Sequence, residues 1–368
     1  MSTVRVSLIG YGYAGRVFHA PLITATPGLD LAVIGTRRPA AETGYPDVEA
    51  LSDPLAAARH PDADLVVIAT PNHSHAPLAE AALRAGKHVV VDKPFTVAVT
   101  EARALAVLAA DAGRVLSVFQ NRRWDSDFLG VRAATADGLL GEVVEVRSEM
   151  SRYRPEVRDR WRERAGPGSG VWYDLGPHLV DQALLLFGPP AVVFADLRIQ
   201  RRGGSAVDWF HVLLGYGRVR VVLTASMLAA APAARFIVRG TAGTLTRQGW
   251  DLQEEHLLRG LRPGMPGWGE DSDPLVIHRG DRSEVHELRA PPGNYPAYYA
   301  AVRDAIVRGA APPVTAHEAC TVMSVLEAAD RSAAEGRVVT PDFTAAERTA
   351  WEPRFESKNR GATPSADR

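Results

Sequence analysis

Lysine is scarce in this 368-residue chain: of 42 basic residues, only Lys87, Lys93 and Lys358 are lysines. Lys93 stands in the run His88-Val89-Val90-Val91-Asp92-Lys93-Pro94. Three successive valines read as a strand buried on both faces, and Pro94 ends it because its nitrogen cannot donate to a ladder. The carboxyl edge of an open α/β sheet is where ligands bind. An ammonium there can donate to a ligand oxygen and shift its own pKa when desolvated. A surface lysine that merely caps a strand is the plainer alternative. A second polar pair, Asp174 and His178, lies in Trp172-Tyr173-Asp174-Leu175-Gly176-Pro177-His178-Leu179. Four residues apart, the two share a helical face, and Pro177 suits a first turn. The helix then runs apolar to Phe187, so a polar pair at its head marks a site.

The elements that must position these residues alternate. Residues 4–9, 31–35, 65–69, 89–91 and 115–119 read as strands. Helices follow at residues 15–24, 75–85 and 100–112, the last with Thr100 as N-cap. Such alternation predicts a parallel, doubly wound sheet with right-handed crossovers. The first strand runs into Gly10-Tyr11-Gly12-Tyr13-Ala14-Gly15, which opens the first helix. Gly10 permits the tight turn, Gly12 lets the backbone approach a pyrophosphate, and Gly15 lets helix and strand pack closely. The helix N-terminus then offers free amides to phosphate. Placed between strand and helix, this glycine pattern predicts a dinucleotide site. At the end of the second strand an NAD site usually carries Asp or Glu for the ribose hydroxyls. This chain has Thr36-Arg37-Arg38, a hydroxyl and guanidinium groups suited to a 2′-phosphate, so NADP is preferred and NAD remains possible.

The glycine loop, Thr70-Pro71-Asn72 and Asp92-Lys93-Pro94 therefore fall on one sheet edge. After Phe119 the pattern changes. Gln120-Asn121-Arg122-Arg123-Trp124 is a polar, aromatic junction. Residues 125–136 read as a helix and 142–147 as a strand. Residues 191–226 hold several β-rich runs, which residues 236–238 and 257–258 extend, forming a largely antiparallel sheet with one face on helices. Residues 259–274 read as a loop, and 295–307 and 317–334 as helices. A formal net charge of −1 creates no field for nucleic acid or an anionic membrane, and no run is long enough to span a bilayer. The single cysteine, Cys320, allows no internal disulfide and no cysteine zinc cluster. A strand begins almost at once, leaving no room for a signal peptide, and a cytoplasmic setting is expected.

Residues 10–21, 70–75, 91–94 and 168–181, in that order and spacing, resemble the Gfo/Idh/MocA oxidoreductases. The junction at 120–124 resembles the branch that contains NADP-linked scyllo-inositol dehydrogenases, and residues 293–299 and 314–337 are similar to that family's C-terminal helices. The resemblance implies a Rossmann domain at residues 1–120. Residues 356–368 are polar and read as a mobile tail, and the resemblance implies an α/β domain with a large, open, mostly antiparallel sheet at 121–355. It also implies a homodimer or homotetramer built through that sheet. Substrates would be sugars, inositols or related polyols.

The family's Glu-Lys-Pro motif falls on Asp92-Lys93-Pro94, with Asp as a departure. The family's second-domain acid and imidazole fall on Asp174 and His178. Thr70, Pro71, Asn72 and His75 map to the segment touching the nicotinamide half, Trp161 to a cofactor contact, and Asn121 and Arg122 to the substrate. In the implied reaction His178 acts as general base, Asp174 orients it or binds a neighbouring hydroxyl, and Lys93 stabilises the developing alkoxide. Three rivals stay open. One is a non-catalytic NADP-binding regulator, and another is a dinucleotide-dependent glycosidase. The third is a metal site made from Asp174, His178 and Asp181 with His73 or His75.

Overall fold

A computed structural model describes residues 3–280 and 285–352. The expected tail at 356–368 lies outside the described residues. The first sheet has six parallel strands: β1 (Val4–Ile9), β2 (Leu29–Gly35), β3 (Glu49–Leu51), β4 (Leu65–Ile68), β5 (His88–Asp92) and β6 (Leu116–Phe119). Their order is β3-β2-β1-β4-β5-β6, the doubly wound order that reverses between β1 and β4. All four residues of β4 are buried, as are Val89, Val90 and Val91 of β5, because helices cover both faces. The carboxyl ends of β1, β4 and β5 are adjacent: Ile9 pairs with Ile68, and Ile68 with Val91. The glycine loop, Thr70 and Lys93 therefore leave the sheet side by side.

The second sheet contains β7 (Val143–Glu149), β8 (Val192–Arg198), β9 (Trp209–Tyr216), β10 (Val219–Ser226), β11 (Phe236–Gly240), β12 (Gly243–Arg247), β13 (Leu275–Arg279) and β14 (Val285–Leu288). The order is β14-β13-β12-β11-β7-β10-β9-β8. Every pair is antiparallel except β7 with β10. Alternate residues such as Val193, Val212, Leu214, Val221 and Leu223 are fully buried. They form the sheet face packed on the helices Gly170–Phe187 and Ala316–Glu335. No helix among the described residues is long and apolar enough to cross a membrane.

Three local expectations need correction. Leu257 and Leu258 do not extend the sheet; they end a helix, Gln253–Leu258. Thr100 is inside its helix, which starts at Val99 with Ala98 as N-cap residue; Glu101 accepts from the Val97 and Ala98 amides. Pro177 is not in a first turn, because its helix begins at Gly170. The early start is supported from outside, where the Val207 carbonyl accepts from the Val171 amide.

Helix Ala316–Glu335 joins the two sheets. Thr315 and Glu318 form a capping box at its start, and Gly336, with φ 64°, ends it. It packs against helix Val99–Asp111 of the first sheet, and its Glu327 accepts from the Val99 amide at 2.6 Å. At the crossing between domains, the buried Arg123 grips Asp181 with two hydrogen bonds of 2.8 and 2.6 Å and lies 3.4 Å from Glu318. Removing one partner of such a buried pair leaves carboxylates stranded in a low dielectric. Arg123→Met should therefore destabilise the protein by about 3–5 kcal/mol, read from the denaturant midpoint. A change below about 1 kcal/mol, the range of an exposed pair, would contradict this role.

Candidate active site

The glycine loop has the shape a dinucleotide requires. Gly10 has φ 97°, and a Cβ there would lie 2.4 Å from the Ala69 carbonyl oxygen. At Gly15 it would lie 2.1 Å from the Gly10 oxygen, whereas at Gly12 it would meet nothing within 4 Å. Two glycines are thus demanded by packing and the third opens onto free space, the side from which a pyrophosphate approaches. Ala14 precedes the helical turn Gly15–His19, which continues into Ala20–Thr24. Tyr11 is buried and its hydroxyl donates to the Thr43 carbonyl. Burial raises its pKa; the opposing fields of Arg16 and Arg38 place both cations near the loop. Thr36 follows β2 and its hydroxyl accepts from the Arg38 amide at 3.1 Å. Arg37 and Arg38 are exposed, with no acidic partner among the described residues. The residues that follow β2, Thr36-Arg37-Arg38, carry no carboxylate to repel a 2′-phosphate.

Thr70, Pro71 and Asn72 follow β4. Asn72 is buried and its amide donates to the Gly168 carbonyl at 2.7 Å, while its own oxygen is buried without a partner. His75 differs from the expectation of a cofactor contact. Its ring is buried, with Nδ1 2.9 Å from the Pro94 carbonyl and Nε2 2.9 Å from the Thr70 carbonyl. It ties the loop after β4 to the loop after β5, and burial lowers its pKa.

Lys93 leaves the end of β5 with only 12% of its side chain exposed. Its Nζ donates to the backbone carbonyl of Asp174 and to Asp174 Oδ1 at 3.1 Å. Two residues 81 apart in sequence meet across the junction of the domains. An ammonium has three donors, so one remains for a ligand. Burial alone would raise the pKa of Asp174, but Lys93, then Arg162 at 3.6 Å, hold its carboxyl well below the usual range. Trp161 carries the Arg162 guanidinium 4.5 Å above its ring, and Arg162 in turn pairs with Asp174. Behind Lys93, Asp92 is buried; burial would raise its pKa, but His19, 3.7 Å away, then Lys93 and His75 lower it.

His178 is 5% exposed. Its Nδ1 is buried without a hydrogen-bond partner, and no described residue bonds Nε2, which is therefore the nitrogen left to meet a ligand. Burial pushes its pKa well below 6.5, and the cations Lys93, Arg122, Arg235 and Arg152 push it further. The ring is therefore neutral at pH 7 and can accept a proton. Asp174 does not orient it, contrary to one expectation: that carboxylate is taken by Lys93 and Arg162. The metal constellation does not assemble either. Asp181 is held by Arg123, the ring nitrogens of His75 face carbonyls, and no three such ligands cluster among the described residues.

Asn121 and Arg122 lie in the turn Asn121–Trp124 after β6. Asn121 is buried, and its amide has no partner among the described residues. Arg122 is 6% exposed and pairs with Asp125 at 3.1 Å and Glu254 at 3.2 Å. Glu254 also accepts from the Tyr13 hydroxyl at 2.6 Å, which links the glycine loop to this wall. Tyr13, His19, Arg152, Arg235, Trp250 and Glu254 escaped the sequence reading. Only the recurrence of arginines between 152 and 164 offered any signal.

A doubly wound sheet whose glycine loop and Lys93 leave the same edge is the arrangement of a dinucleotide-binding Rossmann domain. Residues 4–120 match the oxidoreductase family's NAD-binding Rossmann fold, and residues 132–340 match its C-terminal alpha/beta domain. The chain belongs to the Gfo/Idh/MocA oxidoreductase family. It is 51% identical to YdgJ, an uncharacterized oxidoreductase of Escherichia coli (strain K12), covering 90% of this chain and 96% of that one. It is 36% identical to IolW of Bacillus subtilis (strain 168), a scyllo-inositol 2-dehydrogenase (NADP(+)), over 92% and 96% of the two chains. The crystal structure of an oxidoreductase from Bacillus cereus superposes with a TM-score of 0.84 at 31% identity, over 93% of this chain and 99% of that one.

Proposed function

We propose that this protein interconverts a carbinol of a sugar, inositol or related polyol with its ketone, preferring NADP over NAD. The observation that carries the reading is the buried, uncharged His178 standing in the field of a lysine that keeps one donor spare. A bound nicotinamide would supply or accept the hydride. Gly10, Gly12 and Gly15 would hold its pyrophosphate, and Thr36, Arg37 and Arg38 its ribose phosphate. The loop Thr70-Pro71-Asn72 would flank the ring. In oxidation, His178 Nε2 takes the carbinol proton while Lys93 Nζ donates to the same oxygen and stabilises its growing charge. In reduction the proton travels back from His178. Asp174 fixes the lysine through its backbone carbonyl and its carboxylate. The NADP-linked inositol dehydrogenase among the relatives supports both the substrate class and the cofactor. We further propose self-association through the outer face of the second sheet, where Val192 and Phe194 are each 38% exposed.

The direct test is a panel of polyols, inositols and their keto forms, with each cofactor, followed at the reduced nicotinamide band. Turnover of at least one polyol–ketone pair is expected, faster with NADP(H). Release of free sugar from glycosides without net cofactor reduction would replace this reading with a glycosidase, and cofactor binding without any turnover with a regulator. Arg37→Ala should weaken NADPH by about tenfold or more, the usual worth of a charge-assisted hydrogen bond, with a much smaller effect on NADH. Equal weakening of both in direct titrations would reject the 2′-phosphate assignment.

A further inference from the structure

Beside this site, two half-buried guanidinium groups stand without an ion pair among the described residues, unlike other arginines around them. Arg122 is paired with Asp125 and Glu254, Arg162 with Asp174, Arg201 with Glu163 and Asp208, and Arg235 with Asp127. Arg152 and Arg154 follow β7 in extended backbone, their amides donating to the Ser226 and Met227 carbonyls at 2.8 and 2.7 Å. Both side chains are half-buried, and neither guanidinium has a hydrogen bond or ion pair among the described residues. Arg152 instead stacks 4.9 Å from the Trp250 ring centroid, the ring that Arg122 approaches at 6.0 Å. Trp250 thus holds it in place without neutralising it.

Half-burying a cation that no carboxylate contacts is unfavourable unless something supplies a partner; Asp174 and Glu254 reach Arg152 only through their fields. Arg154 makes matters worse for Arg152, since burial and then that neighbour depress its pKa. The same guanidinium is felt at Asp174 and at His178, so it borders the place of reaction. Those two carboxylates are already engaged, Asp174 by Lys93 and Arg162 and Glu254 by Arg122 and Tyr13, so a neutral polyol would leave the Arg152 guanidinium without a partner in contact. We propose that Arg152, backed by Arg154, is an anion-binding subsite of the substrate pocket. The substrate then carries a carboxylate or phosphate besides the carbinol that reacts, as a sugar acid or a sugar or inositol phosphate does. This rests on the oxidoreductase reading above. The competing source of the anion is the cofactor's own pyrophosphate, because Tyr13, next to Gly12, also feels Arg152.

The test titrates NADP-loaded protein by calorimetry with matched pairs: glucose against glucuronate and glucose 6-phosphate, and inositol against inositol monophosphate. At least one anionic member should bind about tenfold or more tighter than its neutral counterpart, the worth of a charge-assisted hydrogen bond. That preference should shrink as salt rises. R152Q should lose the preference, and R154Q part of it, with both variants checked for folding by thermal melting. No preference in any pair overturns the proposal. So does a loss of NADP affinity in R152Q as large as the loss for the anionic ligand, which would give the guanidinium to the cofactor. Preferential binding without turnover would keep the subsite and defeat the hydride-transfer reading. Turnover of neutral polyols with no anionic preference would do the reverse.

Discussion

Lys93→Ala should lose about 100- to 1000-fold in kcat/KM, the loss typical of removing one donor from a developing oxyanion, while NADPH titrates nearly as in the parent protein. The chain spends two of the three lysine donors on Asp174, so the third is a positioned donor and not a flexible surface charge. Alanine also strips Asp174 of its principal countercharge. Lys93→Arg would separate charge from shape: the planar guanidinium keeps the cation but cannot place one donor where the ammonium does. A poor recovery with arginine is therefore expected. Activity of Lys93→Ala within about threefold of the parent, a difference under 1 kcal/mol, would remove this lysine from the chemistry.

His178→Asn should lower kcat/KM for alcohol oxidation by about 10²- to 10⁴-fold, the range for a positioned general base. The pH profile carries the sharper signature. The base works only unprotonated, so oxidation fails as pH falls through its pKa. Burial, then Lys93 and three arginines, set that pKa well below 6.5. Oxidation by the parent protein should therefore persist as pH drops through 6.5 and show its acid limb only lower. The asparagine variant should lack that limb. A limb at 6.5 or above, or one that survives the substitution, would show that another group accepts the proton.

What was legible in the sequence was local. The glycine loop, the valine run of β5 and the missing acid after β2 each declare themselves within a dozen residues, and five strands of the first sheet were read alongside them; the three-residue edge strand β3, Glu49–Leu51, was not. The second sheet was legible as a class of structure but not strand by strand. Leu257 and Leu258 look like strand residues, yet the preceding Gln253, Glu254 and Glu255 are good helix formers and carry them into a helix. Pro177 looked like a first-turn residue because nothing nearby reveals that Val207 caps the helix seven residues earlier.

The partnerships in the site were the least visible. Asp174 looked like a partner for His178 because the two are four apart, but Lys93 claims it from 81 residues away. His75 looked like a ligand contact and is instead a tie between two loops. Arginines abound in this chain, so neither the pairing of Arg123 nor the solitude of Arg152 could be told from its residue type.

The measurement that bears most directly on this account is a structure of the protein with NADP and a turned-over polyol bound together. One ligand oxygen should lie within about 3.2 Å of both Lys93 Nζ and His178 Nε2, the reach of a hydrogen bond, with its carbon facing the nicotinamide. A ligand whose nearest oxygen touches only one of the two, or an imidazole turned away behind packed side chains, would contradict it.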